Sequence, residues 1–219
     1  DLQMGSASQR ILETAEERKP GLIVMGAKGL RSTVTILLGG VAQQVVEYSC
    51  CPVLIVRAPY RGLAKILLVT DGSPSSQEAA RFLGRFPLPA GAELHVLHAL
   101  RPLPLPIVAD PYLGAWSTVY MGDPGPEENA EETRQGEELL NKALALLERD
   151  PTRVRTALVR GDAATEIIDY AKKEHIDLIV AGSRGLGQFR SLWVGSVSRK
   201  LVHYSDCSVL LVKQQPGKE

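Results

Sequence analysis

The chain has 219 residues, 44% of them hydrophobic and 23% charged, and its 25 basic and 25 acidic side chains cancel to a formal net charge of zero. That length supplies one or two domains with a real core. The balance of charge argues against non-specific binding to nucleic acid or to a membrane surface, both of which need a basic surplus. No apolar run approaches the roughly 20 residues of a membrane helix, no signal peptide is visible, and the first residue is Asp1.

In chain order, the spacing predicts a helix over residues 7–19, a buried strand over 21–26, a glycine loop, a helix over 39–49 and a strand over 52–57. A connector over 58–62 leads to a buried strand, 65–69, that ends at Thr70-Asp71-Gly72-Ser73. Ser73 or Ser75 can cap the helix that follows, with Glu78 three places after Ser75 completing a capping box. Ala79, Ala80, Phe82, Leu83 and Phe86 form its core face. A turn at 88–91 precedes a strand over 93–100. Residues 101–126 are rich in proline and glycine, carry Tyr112, Trp116 and Tyr120, and read as an irregular loop or lid. Then come a helix over 127–149, a strand over 154–159, a helix over 163–174, a strand over 178–181, a second glycine loop, a helix from Gly195 and a strand over 207–212. Cys50, Cys51 and Cys207 lie near strand starts with no metal-site spacing, and read as small buried residues in a reducing cytoplasm.

The chain repeats itself. Sliding it by 156 residues lays 5–56 on 161–212 without a gap, and 19 of those 52 positions are identical. Identity of that extent means two copies of one unit. The copies are unequal: about a hundred residues reach back from Gly161 to Ala64, but four precede Gly5. The expected division is therefore 1–58, the C-terminal part of a first unit, and 62–214, a complete second one. The Asp1 start favours truncation of the first, and the sequence leaves open whether it docks on its twin. The order β-α-β-α-β-α-β-α-β in the second unit gives a doubly wound parallel α/β sheet of five strands. In such a sheet ligands sit beyond the carboxyl ends of the strands, where the winding reverses.

Gly182, Gly185 and Gly195-Ser196 fall between the last two strands as Gly-x2-Gly-x9-Gly-Ser. Glycines let backbone approach an anion, and a helix start points unpaired N–H groups at it. This is neither a P-loop, which needs Gly-Lys-Ser/Thr, nor the dinucleotide fingerprint. The pattern resembles the nucleotide loop of the universal stress protein family, and with Val69-Thr70-Asp71 and Leu97-His98-Ala99 the resemblance covers nearly all of 62–214. It implies a Rossmann-like, adenine nucleotide alpha hydrolase-like fold and a cytoplasmic protein. It further implies a site for ATP with Mg or Mn lined by Val69, Thr70, Asp71, Ala99, Ala181, Gly182, Arg184, Gly185, Gly195, Ser196, Val197 and Ser198. Ser196 and Ser198 would add hydroxyl donors, and Arg184 positive charge over the phosphates.

Each residue also has a plainer role. Asp71 can cap a helix, Ser196 can be an N-cap, and Arg184 can be a solvated loop cation. None of the four histidines has an evident Asp or Cys partner, so neither a catalytic nor a metal site is expected of them. The first copy has Gly40 where Ser196 stands, and Lys28 at the Arg184 position, and is not expected to bind nucleotide alone. The leading function is a nucleotide-dependent sensor or regulator. The alternatives are a slow ATP hydrolase or nucleotidyl-transfer enzyme, or a structural assembly module. Adenylating relatives of the fold carry Ser-Gly-Gly-x-Asp-Ser after the first strand, where this chain has Thr70-Asp71-Gly72-Ser73-Pro74-Ser75. In the family the last strands of two units meet across a two-fold axis. Residues 52–57 and 207–213 should therefore pair antiparallel as a pseudo-dimer, with further homo-oligomers through the open edge.

Overall fold

A computed structural model describes residues 4–28, 38–60, 62–102, 126–148, 154–185 and 194–213. The aromatic-bearing segment 103–125 and the loop positions 29–37 and 186–193 lie outside the described residues.

The elements are α1 (Ala7–Arg18), β1 (Ile23–Gly26), α2 (Gly40–Tyr48), β2 (Val53–Val56), β3 (Lys65–Val69), α3 (Pro74–Arg85), β4 (Glu93–Leu100), α4 (Pro126–Leu147), β5 (Val154–Arg160), α5 (Ala163–Lys173), β6 (Leu178–Gly182), α6 (Ser196–Tyr204) and β7 (Ser208–Val212). The strands form one mixed sheet in the order β1-β2-β7-β6-β3-β4-β5. From β7 to β5 every pairing is parallel. The chain lays β4 and β5 on one side of β3, then returns to place β6 on the other, so the winding reverses between β3 and β6.

β3 shows why the sheet forms. Its run Ile66, Leu67, Leu68, Val69 is buried on both faces, as a strand covered by helices on each side must be. Ile66 and Leu68 meet Ala79, Ala80 and Leu83 of α3 and Leu140, Ala143 and Leu147 of α4. Leu67 and Val69 join a core on the opposite face with Ile167, Ala171, Leu201 and Val202. That second core runs on into Val45, Val46, Val53 and Ile55, so the first copy shares its hydrophobic interior with the second.

β2 and β7 pair antiparallel, Val53 opposite Leu211 and Ile55 opposite Val209, as the internal two-fold expectation required. Two cations at twin positions close this seam. Arg57 Nη2 donates to the carbonyls of Val202 and His203 at the end of α6, at 2.6 and 3.3 Å. Lys213 Nζ donates to those of Val46 and Glu47 at the end of α2, at 2.7 and 3.3 Å. Each copy thus caps the last turn of the other's helix, where orphan carbonyls and the helix dipole favour positive charge. Lys213 is 6% exposed, and burial, with Arg184 second, pulls its ammonium down to about 8.

Two expectations fail here. The Ser75–Glu78 capping box does not form. Ser73 is the N-cap, its Oγ accepting from the Ser76 amide at 3.2 Å, and Glu78 instead pairs with Arg81 and Arg85. Proline at the first helical position needs the cap just before it, which is Ser73. Cys50 is exposed, Cys51 buried and Cys207 half-buried, all as free thiols. The side chain of Cys50 falls in the turn after α2 instead of in the core.

Candidate functional site

The carboxyl ends of β3, β4 and β6 and the start of α6 enclose a cleft of about 600 Å³. All twelve residues singled out in the sequence line it, with Ser73, Pro74, Ser75, Ser76, Leu97, His98, Ala163 and Ile167. The topology explains the convergence: β3 and β6 are neighbours at the reversal point, so their loops open into the same crevice.

Each wall has a local cause. Beyond β3, the Thr70 amide donates to the Leu97 carbonyl at 3.0 Å, extending the ladder by one residue. The Thr70 carbonyl then accepts from His98 Nδ1 at 2.8 Å, and Thr70 Oγ1 accepts from the Gly72 amide at 3.3 Å. Gly72 turns the chain with φ +78, a left-handed conformation that side chains disfavour. Asp71 Oδ1 accepts from the Ser73 amide at 3.0 Å, so Asp71 supports the turn and Ser73 caps the helix. The other oxygen of Asp71 lies 2.6 Å from where a Cβ on Gly185 would stand, so a side chain there would have to displace the Asp71 carboxylate.

The glycine loop is tied to α3. Ser75 Oγ accepts from the Arg184 amide, and Ser73 Oγ donates to the Arg184 carbonyl, both at 3.2 Å. A Cβ on Gly182 would fall 2.6 Å from the backbone of Ser75 and Ser76. Gly182 is therefore glycine because α3 packs against the end of β6, a reason the ligand-loop reading did not supply.

Among the described residues three helices begin beside this cleft, and they differ. α3 is capped by Ser73. α5 is capped by Asp162, whose carboxyl accepts from Thr165 and is held below the usual carboxylate range chiefly by those bonds. α6 starts from Gly195, in extended conformation, with no side-chain cap. The Gly195 amide is used by Ser183 O at 2.7 Å, while the amides of Ser196, Val197 and Ser198 precede the first intrahelical bond, from Arg199 to Gly195 O. The three residues that carry these donors line the cleft. Ser196 and Arg184 are exposed at its mouth. Ser198 corrects the expectation of a hydroxyl donor, because its Oγ already donates to the Gly182 carbonyl at 2.7 Å. Only its amide remains to offer.

His98 lines the cleft although no Asp or Cys stands near it in sequence; its partner is a backbone carbonyl, which sequence spacing does not reveal. His95, fully buried, bonds Tyr170 Oη at 2.8 Å and Glu93 at 3.2 Å, away from the cleft. Among the described residues no three His, Cys, Asp or Glu side chains converge on a metal position. None of the described helices is long and apolar enough to cross a membrane.

Comparison with known proteins gives a consistent result. Residues 2–57 and 62–213 match the universal stress protein family. A universal stress protein of Thermus aquaticus is 36% identical over 149 residues, covering 68% of this chain and 97% of the relative. One from Methanocaldococcus jannaschii is 31% identical over 155 residues, 71% of this chain and 84% of the relative. Among solved structures, a putative universal stress protein of Pseudomonas aeruginosa superposes with a TM-score of 0.63 at 18% identity, over 97% of this chain and 70% of the other, a likeness of fold.

Proposed function

The chain belongs to the universal stress protein family, and on that premise we propose that it binds ATP with a divalent cation, Mg or Mn, in the cleft between β3, β6 and α6. In this reading it serves as a nucleotide-dependent sensor or regulator in the stress response. The observation that carries the reading is the uncapped start of α6. Of the three helices that open on this crevice, α3 and α5 spend side-chain oxygens on their first amides, and α6 does not. Unclaimed amides at a helix start, backed by the dipole, are an anion site.

The residues divide the work. The amides of Ser196, Val197 and Ser198 hold phosphate oxygens, the Ser196 hydroxyl adds a donor, and Arg184 lays charge across the mouth. Gly185 and Gly195 keep the loop free of side chains so that backbone can approach the ligand. Asp71 is the carboxylate lining the cleft, and with no cluster of three ligands among the described residues the cation arrives on the triphosphate. A volume of about 600 Å³ suits a ligand of nucleotide size. The proposed division is into units 1–58 and 62–214, and the outer edge of β1 supports association with further copies of the chain.

Titration calorimetry with ATP, ADP and AMP tests the reading. Saturable binding of ATP is expected, and no heat from any of the three at millimolar concentration would sink it.

A further inference from the structure

The glycine loop and the seam between the two copies meet at the end of β7. The Ser183 amide donates to the Val212 carbonyl at 2.9 Å, and Ser75 Oγ donates to the same carbonyl at 3.5 Å. Ser75 Oγ also accepts from the Arg184 amide, and Ser73 Oγ donates to the Arg184 carbonyl, both at 3.2 Å. The loop backbone is therefore tied, directly and through one hydroxyl, to the residue before Lys213.

The side chain of Lys213 runs to the other copy. In a residue 6% exposed, Nζ donates to the Val46 and Glu47 carbonyls in the last turn of α2, at 2.7 and 3.3 Å. The groups around it are Arg184 from the loop, Glu47 from α2, and Cys50 and Cys51 from the turn that follows. The Glu47 carboxylate also pairs with Arg199 of α6 at 3.8 Å. Glu78, Arg81 and Arg85 of α3 line the same groove as Lys213, with both arginines paired to Glu78.

Arg184 belongs to both surroundings. It lines the cleft, and its charge, after burial, is the main reason that the Lys213 ammonium falls to about 8. A phosphate laid beside Arg184 offsets that repulsion and adds its own attraction, and both effects favour the proton on Lys213. At the twin position Arg57 makes the same cap on α6 with a guanidinium, which keeps its proton throughout this range. Of the two seam cations, the titratable one stands beside the cleft.

We propose that nucleotide binding in the cleft is linked to protonation of Lys213, so that a filled cleft tightens the hold of the second copy on α2 of the first. The proposal rests on the nucleotide reading above. The link is reciprocal: phosphate draws a proton onto Lys213, and the protonated lysine strengthens phosphate binding. The ammonium is also the better cap for the orphan carbonyls of α2.

Calorimetric titration with ATP at pH 8.5, in two buffers of different ionisation enthalpy, reads the protons exchanged on binding. Moving the titration of Lys213 from about 8 to about 9 takes up roughly half a proton per ATP at that pH. The phosphates of ATP, with a last pKa of about 6, contribute none. In Lys213→Arg the cap takes the form seen at Arg57 and the titrating group is gone. That variant is expected to bind ATP at pH 7.5 within about twofold of the parent and to lose the uptake at pH 8.5. ATP binding by the parent without proton uptake overturns the inference and leaves the ATP reading standing. So does an uptake that survives in Lys213→Arg. Absence of ATP binding at either pH removes both.

Discussion

Gly39 and Gly195 stand 156 residues apart at the starts of α2 and α6, each in extended backbone conformation with no side-chain cap. Each amide donates to the carbonyl at the twin position, Ala27 in one copy and Ser183 in the other, at 2.8 and 2.7 Å. Beside α6, however, stand the end of β3 and the start of α3, with Ser73 and Ser75 holding the loop by its Arg184 backbone. In the first copy β1, the twin of β6, is the outermost strand of the described sheet, with Val24 59% exposed. A glycine loop and a helix start supply donors; the opposite wall, contributed by a stretch a hundred residues earlier, makes them a cleft.

The glycines before the two loops offer the sharpest way to break the comparison. In Gly182→Val the new Cβ would meet Ser75 and Ser76 backbone at 2.6 Å, whereas at the twin Gly26 it would meet only the Lys28 carbonyl at 3.6 Å, an ordinary contact. Overpacking against backbone should cost about 3 kcal/mol or more at Gly182. Gly26→Val should stay within about 1 kcal/mol of the parent, because it adds a side chain where there is room. Urea unfolding of the two variants distinguishes them, and equal losses would mean that α3 does not press on β6 as described.

The twin cations differ in titration. Lys213 falls to about 8 in the fold against 10.5 for the free side chain. Between those pH values the unfolded chain binds more protons than the folded one, so this group adds stability as pH rises through that window, about 3 kcal/mol when complete. Below pH 8 both states hold the proton and the contribution is absent. Arg57 is also lowered by burial, but a guanidinium keeps its proton throughout this range. Unfolding of the parent minus that of Lys213→Met, followed from pH 7.5 to 10.5, should show the rise; Arg57→Met should not remove it.

On the binding side, Gly195→Val would place its Cβ at an ordinary contact distance, 3.6 Å from the Gly185 amide nitrogen, and its branched side chain would occupy the space that the phosphates need beside the α6 amides. About a hundredfold loss of ATP affinity is expected, roughly 2.7 kcal/mol, while Gly39→Val leaves it unchanged. Parent-like affinity in Gly195→Val would remove phosphate from this loop.

The smallest effect separates two serines in the first turn of α6. Ser196→Ala should weaken ATP binding a few-fold, about 0.5–1 kcal/mol, the net worth of one hydrogen bond. Ser198→Ala should leave affinity unchanged and instead lower stability by about 1 kcal/mol, since its hydroxyl serves the Gly182 carbonyl. The reverse pattern would exchange their assignments.

Residues whose role is set by near neighbours could be read directly from sequence. The run Ile66 to Val69 announced a strand buried on both faces, and the identities between 5–56 and 161–212 announced twin units. The order of elements in 62–214 led to a parallel doubly wound sheet, and that order placed Thr70 and Gly182 at one crevice. Residues whose role depends on a distant competitor were read less well. Ser75 looked like a cap but is turned to the Arg184 amide, 109 residues away. Gly182 looked like a ligand glycine but answers to α3, and Ser198 looked like a donor but is already engaged. His98 stood in the Leu97-His98-Ala99 stretch that carried the resemblance, but its bond to the Thr70 carbonyl had no sequence signal, because backbone carbonyls are the same at every position.

By itself, then, the sequence determined the strands, the helices, the repeat and the positions of the glycines, because hydrophobic period and backbone freedom are local properties. Only the tertiary structure decided which helix start kept its amides unclaimed, which serine hydroxyls were spent, and which nitrogen of His98 carries the proton. Those depend on which groups compete for each hydrogen bond, and the competitors come from strands and helices that only folding brings together.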